Sequence, residues 1–154
     1  MLRHVIFCAA LLLSASTFAQ DAEYPMHTPD EVIALAKDHP NGIKVAVTFT
    51  IKSANFGKKH SAGHLFLDSM EDYRDSHSLN VNVFTHAVEK AGLKEGAALV
   101  GKAVTVHGMA KSQRINCHGG CPQDSSANHY FQTQIFVRDN DEITIADATA
   151  TATH

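Results

Sequence analysis

The hydrophobic positions of this chain change period several times, and each change predicts an element. From Ile43 the period is two: Ile43, Val45, Val47, Phe49 and Ile51 alternate with Lys44, Ala46, Thr48, Thr50 and Lys52, as in a long strand with one buried face. Shorter strands are predicted over residues 64–68 (His-Leu-Phe-Leu-Asp), 79–84, 101–108 and 130–138, with a small terminal piece at 143–145. Upstream, Thr28-Pro29-Asp30-Glu31 predicts a helix start. Threonine can cap, proline suits the first helical position, and Glu31 completes a capping box, with Val32, Ile33, Leu35 and Ala36 as the apolar face. His39-Pro40-Asn41-Gly42 ends that helix. A second short helix is expected over 85–93, with Ala87, Val88 and Ala91 on one side. The polar stretches 53–63, 70–78 and 111–129 read as loops or turns.

Residues 1–19 follow a different pattern. A charged start at Arg3 and His4, an apolar run from Val5 to Leu13 and a small-residue region ending at Ala19 make the three parts of a secretory signal peptide, with cleavage expected after Ala19. The mature protein is then periplasmic or secreted. Cys8 lies inside the apolar run and not after it, so no lipid anchor is read. The chain has no apolar run of the ~20 residues that span a bilayer. Residues 147–154, an Ala/Thr repeat ending in His154, read as a disordered tail.

Composition narrows the function classes. Sixteen Asp and Glu outnumber thirteen Lys and Arg, a formal charge of -3, which disfavours tight electrostatic wrapping of duplex nucleic acid. With 44% hydrophobic residues in 154, a single packed domain is expected. Histidine is unusually frequent at eleven. His60, His64, His118 and His129 fall in or beside two of the predicted loops, and they read as surface histidines.

The order helix, three strands, short helix, two strands is that of the OB-fold, a five-stranded Greek-key barrel, so the fold class is all-β with small α content. The segment VAVTFTIKSANFGKKHSAGHLFLDSMEDYRDSHSLNVNVF, followed by GKAVTVHGMAKSQ, resembles OB-fold domains of the tRNA-anticodon-binding-like and single-strand-binding kind. The resemblance covers residues 43–146, after the leader (1–19) and the N-terminal helical segment (20–42). It implies a binding face on the second and third strands and the loops after the first and fourth.

Carried onto this sequence, that face predicts an outward patch. If Val47, Phe49, Leu65, Leu67, Val81 and Val83 point inward, then Thr50, Lys52, Phe66, Asn80, Asn82 and Phe84 point outward, with Phe66 and Phe84 as stacking platforms or, equally, as surfaces covered by the N-terminal helix. Lys52, Lys58, Lys59, Lys111 and Arg114 would flank the patch, as phosphate contacts or as solvated loop cations. Cys117-His118-Gly119-Gly120-Cys121 predicts a disulfide stapling a loop. The alternative is a metal-handling site drawing on Cys117, Cys121, His118 or His129, with His60 or His64, although the spacing fits no standard zinc pattern. Asp68, Glu71, Asp72 and Asp75 read as a solvated turn. No nucleophile elbow, phosphate-binding loop or dinucleotide fingerprint is present, so the chain reads as a binding module, not an enzyme, with no cofactor. Its expected partner is a single-stranded nucleic acid, a glycan or a peptide, and the sequence fixes no oligomeric state.

Overall fold

The structure, a computed structural model, describes residues 23–117, 121 and 128–147. The expected leader and nearly all of the expected tail lie outside the described residues, as does His118. Strand β1 (Met26–His27) leads into helix α1 (Pro29–Asp38), which begins as its sequence predicts. Thr28 Oγ1 accepts from the Glu31 backbone N–H (3.3 Å), and the Thr28 N–H donates to Glu31 Oε2 (2.8 Å). Asn41-Gly42 then reverses the chain, with Gly42 at a φ of +94° that favours glycine.

The alternating run forms β2 (Ile43–Thr50), followed after two residues by β3 (Ser53–Phe56). Next come β4 (Leu65–Asp68), β5 (Leu79–Val83) and helix α2 (Thr85–Lys90). The chain ends in β6 (Ala103–Asn116), β7 (His129–Val137) and β8 (Ile143–Ala146). The result is a mixed sheet in the order β1-β2-β6-β7-β5-β4-β3, with β8 against β6. As a ladder it is open. Its β5–β7 and β1–β2 pairs are parallel and the others antiparallel. Between β2 and β3 the chain bends at Ile51 and Lys52, whose N–H groups donate to the carbonyls of Lys102 and Asp68, both at 2.9 Å.

The inward alternation holds throughout. Val45, Val47, Phe49, Ile51, Leu65, Leu67, Val81, Val83, Val104, Val106, Ile135 and Val137 form one buried cluster, each branched aliphatic in it worth about 1.5–3 kcal/mol of burial. Val32 and Ile33 of α1 and Ala87 and Val88 of α2 join the same cluster, so the helices cover the inward side of the sheet. The helix therefore takes its partner from the interior, and Phe66 and Phe84 stay on the outer face.

Three expectations are corrected, two of loops and one of the N-terminal helical segment. Residues 53–56 form a strand because their backbone pairs with β4, Ser53 opposite Asp68 and Phe56 opposite Leu65, although their alternation, Ala54 and Phe56 only, is too short to stand out in a polar stretch. Residues 109–116, expected partly as loop, continue β6, since each pairs with β7 from Met109–Phe136 to Asn116–His129. Met26–His27 pairs in parallel with Ala46–Val47, a two-residue strand too short to carry a period. In each case partner backbone, and not side-chain pattern, decides the conformation.

Candidate functional site

Strand pairing places one polar row across the outer face. Ser53 on β3 lies opposite Asp68 on β4, Asp68 opposite Asn80 on β5, Asn80 opposite Gln134 on β7, and Gln134 opposite Lys111 on β6. The next row runs Asn55, Phe66, Asn82, Phe136, Met109. Directly paired residues project to the same side of a sheet, so each row is a line of neighbouring side chains. Above them opens a cleft of about 480 Å³, within the range of ligand sites. Phe56, Phe66, Tyr73, Ile115 and Tyr130 supply its apolar walls, Asp68, Asn80, Gln132 and Gln134 its floor, and Lys58 a cation at its edge.

The floor is polar yet closed to solvent: Asp68 is 1% exposed and Asn80 2%. Polar groups so placed need partners, and most have them. Asn80 Nδ2 donates to Asp68 Oδ1 at 2.7 Å, Gln134 Nε2 donates to Gln132 Oε1 at 2.9 Å, and Gln132 Nε2 donates to the Tyr73 carbonyl. The last bond ties the 69–78 connection over the sheet and places Tyr73 at the cleft. The polarity of these amides is set chemically, because a backbone carbonyl and a carboxylate can only accept. One acceptor is left over: Asn80 Oδ1 has no hydrogen-bond partner among the described residues, a state that costs about 1–3 kcal/mol.

Burial pushes the Asp68 carboxyl up to about 6 from its ordinary 3.8. The hydrogen bonds from Asn80 and Ser53 pull it partly back, and the charge of Asp72 pushes it further up. Arg74 does not relieve it, since its guanidinium is engaged by Asp72, whose carboxyl that hydrogen bond holds below the usual range. The solvated-turn reading is thus wrong for Asp68: it ends a strand and faces the cleft. Burial likewise pushes the Tyr130 hydroxyl up to about 12, so it stays protonated.

Beyond Phe66 the aromatic surface continues. His64 packs on Phe84 with ring centroids 4.6 Å apart and donates from Nδ1 to Asn82 Oδ1 at 3.1 Å. Phe84 lies 6.3 Å from Phe136, and the Arg138 guanidinium sits 5.1 Å from the Phe84 ring centre. The expectation of an isolated surface histidine is therefore corrected for His64, which is held between an amide and a ring.

Of the residues expected to bind, Lys58, Phe66 and Asn80 line the cleft, Asn82 and Phe84 belong to the adjoining aromatic surface, and Lys111 stands at the end of the floor row. Asn80 was expected as an open surface amide and is instead a buried floor group. The other four are not brought together. Thr50 is exposed at the end of β2, and Lys52 lies in a separate hollow with Glu71, Asp72 and Asp75. Lys59 is exposed in a short turn, and Arg114 alternates to the face of β6 opposite Lys111, beside Phe131 and His129. The cleft residues that the sequence reading missed include Asp68, Tyr73, Tyr130, Gln132 and Gln134. A signal existed for the glutamines, which alternate with Thr133 and Ile135 in the fifth predicted strand.

Cys117 and Cys121 are joined in a disulfide with Cα atoms 5.5 Å apart. The bond removes both thiolates from the alternative metal-ligand set. Among the described residues no three His, Cys, Asp or Glu side chains gather as a metal site. No helix among them is long and apolar enough to cross a membrane.

No protein-family model and no curated protein sequence matches the chain. Among solved structures it is similar to an aspartyl-tRNA synthetase of Leishmania major Friedlin, at 12% identity and a TM-score of 0.43 over 89% of this chain. It spans only 23% of that synthetase. It is also similar to a small single-stranded DNA-binding protein of Streptomyces coelicolor, at 16% identity and a TM-score of 0.42, covering 71% of this chain and 98% of that one.

Proposed function

We propose that the chain is an exported OB-fold protein that binds single-stranded nucleic acid in the outer-face cleft. Pairing order supports the barrel: taken as one strand bent at Ile51 and Lys52, β2 and β3 pair with β6 and β4 respectively. β4 then pairs with β5, β5 with β7, and β7 with β6, the circuit of a five-stranded Greek-key barrel. The leader pattern of residues 1–19 supports export, and the Cys117–Cys121 disulfide suits an oxidising compartment. Protein recovered from the envelope or medium with Gln20 as its first residue is the expected result, and an intact Met1 there would overturn it.

The observation that carries the binding reading is the cleft itself: aromatic walls beside a polar floor, continued by Phe84 and Phe136. Every base has a π-face, so such a track accepts successive bases at about 1–3 kcal/mol each. Lys58 and Lys111 stand where phosphates would pass. With so few cations, affinity should depend on salt less steeply than for a basic protein. Fluorescence anisotropy with short labelled DNA and RNA strands at two salt concentrations tests this. Binding that Phe66→Ala weakens about ten-fold supports it. No binding to any strand at low salt, or equal binding by Phe66→Ala, would overturn it.

A further inference from the structure

The floor of the cleft is unbalanced in a way that names a ligand edge. Each floor amide spends one of its two N–H groups inside the protein, on Asp68, on Gln132 and on the Tyr73 carbonyl, and keeps the other, whereas Asn80 Oδ1 has no partner at all among the described residues. The Asp68 carboxylate and the unpaired Asn80 Oδ1 remain at the centre, both acceptors. Acceptors gathered in a buried floor call for a ligand that brings donors, and flat aromatic walls call for a flat one. We infer that the cleft selects guanine from a single strand, its adjacent ring N1–H and exocyclic N2–H donating to Asp68 and Asn80 while Phe66 and Tyr73 enclose the ring.

The other bases fit the floor less well. Thymine and uracil present one N–H between two carbonyls, which would face the carboxylate. Adenine and cytosine each pair one amino donor with a ring-nitrogen acceptor. Guanine alone offers two adjacent donors, and its O6 can accept from the protonated hydroxyl of Tyr130, another wall residue. An arginine side chain also carries paired donors, but Lys58 at the cleft and Lys111 at the end of the floor row would oppose a cationic peptide.

This inference rests on the single-strand reading, and one experiment separates the two. Thymidine strands carrying one central guanine, hypoxanthine, adenine or cytosine are titrated by anisotropy against the full protein with its disulfide intact. Hypoxanthine is guanine without the N2 amino group, so it removes one donor without touching the protein. The expected result is that the guanine strand binds about ten-fold more tightly than the other three, as for a good two-bond base contact. Asp68→Asn should abolish the preference, so that the guanine strand and the all-thymidine strand bind the variant equally. Equal affinity for guanine and hypoxanthine, or a guanine preference that survives Asp68→Asn, overturns the selectivity and leaves single-strand binding standing. If no strand binds, or only an arginine-rich peptide does, both readings fall together.

Discussion

Asp68→Asn also tests the electrostatics of the floor without any ligand. The carboxyl sits at about 6 in the folded chain against an ordinary 3.8, so between about pH 4 and 6 the folded state holds a proton that the unfolded state has released. Stability therefore falls as pH rises through that window, and the full cost is present above it. At about 1.4 kcal/mol per pH unit the ceiling of that cost is about 3 kcal/mol. Asparagine keeps the carbonyl that accepts from Asn80 Nδ2, and the Ser53 hydroxyl can turn from donor to acceptor, so the local bonds survive the change. Urea unfolding of both proteins at several pH values from 4 to 8 measures the difference, in which every other titrating group cancels. The variant should gain on the wild type by up to about 3 kcal/mol from the acid to the alkaline end. A difference that stays flat with pH, or a wild type that gains as pH rises, would refute the placement of Asp68 in a desolvated floor. A chain that tolerates this cost carries it at the residue best placed to meet a ligand's donors, as expected where stability is given up for function.

Three further outcomes test the frame that holds the site. Leu67→Ala, at a fully buried position of β4, should cost about 2–5 kcal/mol in chemical denaturation, and less than about 1 kcal/mol would contradict its place in the core. Reducing the Cys117–Cys121 bond, which closes a loop of sequence separation 4, should cost about 2 kcal/mol or less, so a thermal melt with reductant should still be cooperative and only modestly lower. Thr28→Ala removes the hydroxyl arm of the capping box and should cost about 1 kcal/mol, with Thr28→Ser recovering most of it in the same melts.

The inner face was legible because burial selects for it directly: Val45, Val47, Leu65, Leu67, Val81 and Val83 alternate, and all six are fully buried. The helix cap at Thr28 was legible for a similar reason, since its two hydrogen bonds lie within four residues. The outer face was legible where it is aromatic and where the alternation of β5 turns Asn80 and Asn82 outward. Phe66 and Phe84 stand out among polar neighbours, whereas Asp68, Gln132 and Gln134 have the chemistry of ordinary solvated residues and are made special by what covers them. That cover comes from Tyr73, on a connection whose charged composition resembles any exposed turn and whose docking depends on one amide of a strand 59 residues away. Strand register explains the rest. Period two assigns each residue to a face but not to a partner, so the row from Ser53 through Asp68, Asn80 and Gln134 to Lys111 exists only once β7 is set in parallel beside β5. The same alternation that put Lys111 in that row sends Arg114 to the other side of β6, and a loop reading of that segment could not separate them. A site assembled as one rung across five strands is thus written in the pairing of the sheet, and its selectivity follows from which amides that pairing leaves with an acceptor to offer.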